Sequence, residues 1–177
     1  MTQSYATDDR PLGLRFVVEA INDVETETSW RTLCERRGDA ALGERAFDEG
    51  RFAEAKAILR RVFAEPELAS AAPIINETLT AHQVTQQLTQ LADGRWALRP
   101  IHQGPHDDAA ATLLTLGSFG LARWASDQGR AAWGICAASG CERVFVDEGR
   151  KGPQRFCGTT CATRVRVAAH RRKQQSS

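Results

Sequence analysis

Residues 136–164 read CAASGCERVFVDEGRKGPQRFCGTTCATR. Cys136, Cys141, Cys157 and Cys161 give the spacing C-x4-C-x15-C-x3-C. Two close pairs joined by a short spacer can converge on one tetrahedral ion. Thiolates are soft ligands, and four of them select zinc over magnesium or calcium. The turn Cys136–Cys141 holds small residues and Gly140, which let backbone amides approach the sulfurs. Glu142 to Asp147 reads as a strand, EGRKGP as a turn, and Gln154-Arg155-Phe156 as a returning second strand that carries Cys157 back to the first pair. Thr159 or Thr160 then starts a helix to about Lys173. A knuckle, a hairpin and a helix whose beginning holds the last ligand form a treble-clef-like plan. All four positions are protein sulfur, so one Zn2+ here is structural, with no open site for water. An iron–sulfur cluster is the rival, but nothing else in the module requires redox chemistry.

Outward from the cysteines, charge divides the chain. Residues 1–149 carry 15 basic and 22 acidic side chains, whereas residues 150–177 carry 8 basic and none acidic. A net charge of +1 conceals a cationic end, and such asymmetry points to an anionic partner. On the last helix, Val165 and Ala168 share the side of Cys161 and are expected to pack inward. Arg166, His170 and Lys173 face the other way, where they can meet a phosphate backbone, and Arg171 and Arg172 continue the cationic end. Lys151 and Arg155 in the hairpin and Arg164 near the metal complete the candidate nucleic-acid set. The alternative is that the basic residues suit a helix C-terminus and solubilise it.

Towards the N-terminus the period becomes helical. Leu14, Val17, Val18 and Ile21 make an apolar stripe within residues 12–24. Ser29 is expected to cap a second helix ending near Gly38. Phe52, Ala55, Ile58, Leu59 and Val62 define the clearest helix, limited by Pro66. Another helix is expected to start around Pro73. The step Asp93-Gly94 sits between two strand-like runs and reads as a hairpin. Asp107 or Asp108 can cap a helix over residues 109–126. The fold class is therefore α+β: a mainly helical N-terminal domain with a β-hairpin over residues 12–130, then the zinc finger over 133–173. Cys34 reads as a buried small hydrophobe.

Function classes narrow by exclusion. No GxGxxG, phosphate-binding loop, GxSxG or HExxH occurs, so the chain reads as no enzyme. His102 and His106 lie four apart, but Gly104-Pro105 between them favours a solvated loop over a metal pair. The start MTQSYATDDR lacks the features of a signal peptide. No apolar run is long enough to span a bilayer. A cytoplasmic location follows, where thiols stay reduced. Glu19 and Asn22, three apart on the first helix, either form a capping or buried polar network or line an effector pocket.

The stretch 136–164 resembles the CGNR zinc finger. In that family the last cysteine heads a Cys-Gly-Asn-Arg motif. Here Cys161-Ala162-Thr163-Arg164 keeps the cysteine and the arginine and departs at the two residues between. The VFVD strand, the basic turn and VAAHRR also resemble the family. Such fingers usually follow an ABATE domain, described as a stress-induced transcription regulator. The front of this chain is similar in order and length. Glu19-Ala20-Ile21-Asn22-Asp23 corresponds to the acidic residue and Asn-Thr of the family's opening run. Asn22 matches; Asp23 departs from threonine. The resemblance implies a DNA-binding transcriptional regulator with a small-molecule effector. A protein- or RNA-interaction adaptor built on the same finger is the alternative. One finger is a small reader, so specific DNA binding is expected from a homodimer joined through the apolar segment 109–125.

Overall fold

The computed structural model describes residues 13–90, 94, 96–148 and 153–175, with side chains at all of these except 173 and 175. The turn residue Asp93, the basic Lys151 and the side chain of Lys173 therefore lie outside the described residues. Helix α1 (Leu14–Asp23) buries Leu14, Phe16, Val17, Ala20 and Ile21. Helix α2 (Glu27–Arg36) is capped by Thr26, not Ser29. Ser29 occupies the third helical position of a capping box: its Oγ accepts from Thr26 N at 3.0 Å, while Thr26 Oγ1 accepts from Ser29 N at 3.3 Å. The short α3 (Ala40–Gly43) follows, and then α4 (Glu49–Ala64), which buries Phe52, Ala55, Leu59 and Val62 as its period requires.

Helix α5 (Leu68–Ala81) begins before Pro73 and contains it. The proline leaves the Ala69 carbonyl without its helical donor, and Ala69 is exposed, so water can supply the bond. Strands β1 (Thr85–Gln90) and β2 (Trp96–Ile101) pair antiparallel, with Leu88 opposite Leu98 and Gly94 at φ 82°. Ala97 points into the molecule, while Leu88, Leu98 and Trp96 are exposed.

Helix α6 (Ala109–Gln128) starts at Asp108, whose Oδ1 accepts from Ala111 N at 2.7 Å. It is the central element: Leu113 and Leu121 are fully buried, and Trp124 nearly so. Gly117 allows α4 to cross closely, since a Cβ there would lie 2.6 Å from Leu59 Cδ1. The apolar residues of 109–125 serve the core, which corrects the expectation that this segment forms a dimer interface. A helix apolar on all sides is buried within its own fold. Among the described residues no helix is long and apolar enough to cross a membrane.

The remaining elements are β3 (Trp133–Ile135), β4 (Val144–Val146) and α7 (Thr159–Gln175). Strand β4 pairs antiparallel with β3, ahead of the first cysteine. The expected second strand at Gln154–Phe156 is not formed. Among the described residues, one backbone bond ties that segment back, from Ala137 N to Arg155 O at 2.9 Å. The hairpin thus encloses the Cys136–Cys141 turn at its tip. The mainly helical fold with its hairpin and C-terminal cysteine cluster is as the sequence indicates.

Packing crosses the boundary between the helical body and the hairpin. Ala132, Trp133, Val144 and Val146 belong to the same core cluster as α1, α4 and α6. Trp133 donates its indole N–H to Val62 O at 2.9 Å and Glu65 O at 3.2 Å. Both carbonyls lie at the C-terminal end of α4, and Val62 O also accepts from the cap residue, Glu65 N, at 3.1 Å. Asn22 clamps the other side: its Nδ2 donates to Val144 O at 3.0 Å, and its Oδ1 accepts from Val144 N at 2.9 Å. The ladder of β3 and β4 turns Val144's backbone away from β3, so Asn22 stands in for a neighbouring strand. Asp23 adds a two-point ion pair with Arg143, at 2.6 and 2.8 Å. Arg60 reaches across to Glu142 O at 2.7 Å.

Asn22→Ala would orphan both backbone groups of a buried strand residue. It should cost about 1–3 kcal/mol, read as a lower urea midpoint. An unchanged midpoint would show that water replaces the amide without loss.

Candidate metal centre and cationic helix

The hairpin presents Cys136 at the end of β3 and Cys141 after a tight turn, in which Gly140 adopts φ 70°. Cys141 N donates to Ala138 O at 3.0 Å and closes the knuckle. The bond from Ala137 to Arg155 then brings Cys157 alongside, just before α7, and Cys161 lies in the first turn of that helix. All four Sγ atoms lie within 4.8 Å of one another. Cys141 and Cys157 are 3.8 Å apart at sulfur, and so are Cys157 and Cys161. A tetrahedral ion bonded to sulfur at about 2.3 Å sets its ligands about 3.8 Å apart. The spacing therefore fits a metal between the sulfurs and is far too long for a disulfide. The four residues can coordinate one metal ion, and the donor set is the one that suits zinc.

The local electrostatics prepare the first ligand. Burial pushes the Cys136 thiol up, but bonds involving the Cys157 and Ala138 backbone, with the Cys141 and Cys157 thiols, outweigh it and bring it down to about 7. Burial and the surrounding thiols push Cys157 up to about 12. Four sulfurs this close cannot all ionise unaided; a divalent cation held between them would supply the compensating charge. Cys34 stands apart in α2. It is fully buried, and burial, reinforced by Asp39 and Glu35, holds its thiol up at about 12. That suits a core residue and not a ligand.

Arg164 joins the helix to the knuckle. Its Nη2 donates to Ser139 O at 3.2 Å and lies 3.9 Å from Cys161 Sγ. A cation beside a thiolate offsets part of the excess negative charge of a four-sulfur site. Arg155 is exposed, with its guanidinium carbon 5.9 Å from the centre of the Phe156 ring. Arg166, His170, Arg171 and Arg172 are all exposed on α7. His170 sits 3.1 Å from Gln174 Nε2. The inward stripe runs through Cys161, Ala162, Val165 and Ala169, which are partly covered. Ala168 is exposed, which corrects its expected place beside Val165. Four residues after Val165 the helix returns to the same face, and that position is Ala169.

Glu19 and Asn22 take up separate tasks. Glu19 forms ion pairs with Arg36, at 2.8 Å, and with Arg37. Asn22 engages Val144 with both ends of its amide. These contacts make Glu19 a tie between α1 and the end of α2, and Asn22 a tie between α1 and the finger. Sequence reading missed the part played by Trp133 and Arg60 in supporting the hairpin. Their partners lie 71 and 82 residues away, and no local pattern marks them.

Residues 133–174 match the family model of the CGNR zinc finger. The match spans β3, the four cysteines and nearly all of α7. No curated protein matches the chain.

Proposed function

We propose that the chain is a DNA-binding transcriptional regulator in which a structural zinc ion holds a basic helix against the duplex. The observation that supports this reading best is the composition of α7's open surface. Arg166, His170, Arg171 and Arg172 are exposed there, in a stretch of 28 residues with no acidic side chain. The zinc ion supplies four bonds that fix the helix start to the knuckle. Arg164 supports that junction, and the exposed cations beyond it contact phosphates. Arg155, exposed just before the metal cluster, extends the basic surface on the hairpin side.

The helical body is the ABATE-like half on this reading, and it senses an effector or joins two copies. One finger buries little area, so specific binding is expected from a dimer. A monomer by light scattering, both free and DNA-bound, would count against that part. The reading gives the chain a cytoplasmic place and no catalytic step.

Titrating the zinc-loaded protein onto duplex DNA at several salt concentrations tests the reading. The expected result is affinity that falls steeply with salt. Changing Arg166, His170 and Lys173 together to alanine should leave zinc content and helical signal intact. It should also weaken binding and reduce the salt slope by up to about 2. Unchanged affinity and slope would move the contact surface off α7. Failure to bind duplex, with stoichiometric capture of a protein or RNA instead, would favour an interaction adaptor.

A further inference from the structure

A cavity of about 570 Å3 opens between α3, the inner face of the β1–β2 hairpin and the first turns of α6. This volume falls in the range that small-molecule sites occupy. The cavity shares no residue with the metal centre, and neither Glu19 nor Asn22 lines it. Among the described residues, two buried side-chain polar atoms have no hydrogen-bond partner: His102 Nε2 and Thr115 Oγ1. Both belong to residues that line this cavity.

Each orphan is defined by what its neighbours do. Buried helix hydroxyls ordinarily bond back to a carbonyl one turn earlier. On α6, Thr112 bonds to Asp108 O at 2.9 Å and Ser118 to Leu114 O at 2.7 Å. Thr115 is 3% exposed, and its hydroxyl has no partner. His102 Nδ1 lies 2.8 Å from His82 O. A carbonyl only accepts, so Nδ1 carries the proton. In the neutral ring Nε2 is then an acceptor that needs an N–H or O–H donor. Native folds rarely leave such atoms unmatched.

The charged lining is balanced. Arg45 Nη1 pairs with Asp107 Oδ1 at 2.5 Å and also donates to Thr112 Oγ1 at 2.8 Å. Arg99 Nη2 stands 3.7 Å from Asp39 Oδ2, a loose pair. Two guanidiniums and two carboxylates thus face one space. A simple anion would meet the carboxylates, and a simple cation would meet the guanidiniums.

We propose that this cavity binds a small zwitterion of α-amino-acid size. Its carboxylate is held by Arg45 and Arg99, and its ammonium donates to Asp39; His102 Nε2, closed to solvent beside Gly104, accepts from it after a small shift of that glycine. A rotamer change at Thr115 brings its hydroxyl to the ligand. The proposal does not depend on nucleic-acid contact by α7, because its test contains no nucleic acid.

The test uses the full zinc-loaded chain in a thermal shift assay. The probe is an equimolar mixture of the twenty standard amino acids, each at millimolar concentration; acetate and methylammonium form separate arms. The expected result is a rise in Tm of about 3 °C or more with the mixture and none with either single-charge probe. Arg99→Ala should abolish the rise. Without any probe, Thr115→Val should raise Tm, because it removes an unpartnered hydroxyl at nearly constant shape, and it should blunt the response to the mixture. No shift with the mixture would overturn the proposal, as would an equal shift with acetate alone. A fall in Tm for unliganded Thr115→Val would show that the hydroxyl is already satisfied, for example by internal water, and would also overturn it.

Discussion

Cys157→Ser should strip the metal from the chain and unravel α7, while α1 to α6 stay folded with a lowered Tm. Cys157 is the ligand with a sulfur neighbour on each side, 3.8 Å from both Cys141 and Cys161. Losing it leaves three sulfurs, too few to close a structural site between the knuckle and the helix. Metal binding in small structural sites is worth roughly 10–16 kcal/mol of apparent folding free energy, which no contact of α7 replaces. The helix is mostly exposed beyond Cys161, and an isolated helix of this length is marginal in water. It supplies about a fifth of the helical residues. Far-UV circular dichroism should therefore lose about that share of its helical signal. The body keeps its own core around Trp30, Phe52, Leu113 and Trp124. Its Tm falls because the hairpin that seals one side of that core is no longer held at its tip. A variant with wild-type helical signal and Tm would show that the metal does not organise this end of the chain.

Trp133→Ala should destabilise the helical body itself, by about 3–5 kcal/mol. The side chain is 6% exposed and sits in the shared core. Truncation leaves a cavity there and also removes the indole donor from the Val62 and Glu65 carbonyls at the end of α4. Urea unfolding followed by Trp fluorescence from the remaining indoles measures the effect. If the hairpin were only a satellite on a flexible tether, the body's midpoint would not move. The expected shift is large because a native domain holds only about 5–15 kcal/mol in total.

How much of this was legible in the sequence depends on the range of each interaction. The cysteine cluster, the basic helix, α4 and a cap at Asp107 or Asp108 follow from local spacing, and local spacing is what a sequence shows. The capping box of α2 was read one turn late because Thr26 and Ser29 bond reciprocally, so both look like caps. The hairpin partner was misplaced for a different reason. Gln154-Arg155-Phe156 follows a turn and alternates like a strand, but β4 is already paired by Trp133–Ile135 on the other side of the knuckle. Asn22 shows the limit most clearly. Its partner is 122 residues away, and nothing near it distinguishes an amide that holds a strand from one that holds a ligand. Burial of α6 was readable in principle: apart from Arg123 the segment 109–125 holds only apolar and small or hydroxyl residues, which marks a core helix more than a surface for a second copy. The cavity beneath the β1–β2 hairpin draws on four segments of the chain and leaves no motif in any of them.

The measurement closest to the central claim is the metal content of the intact chain purified without chelator. Elemental analysis should find one zinc per chain, the same value in Cys34→Ser, and almost none in Cys157→Ser or Cys161→Ser. Protein that is folded and free of zinc, or a Cys157→Ser variant that keeps its full zinc content, would contradict the account.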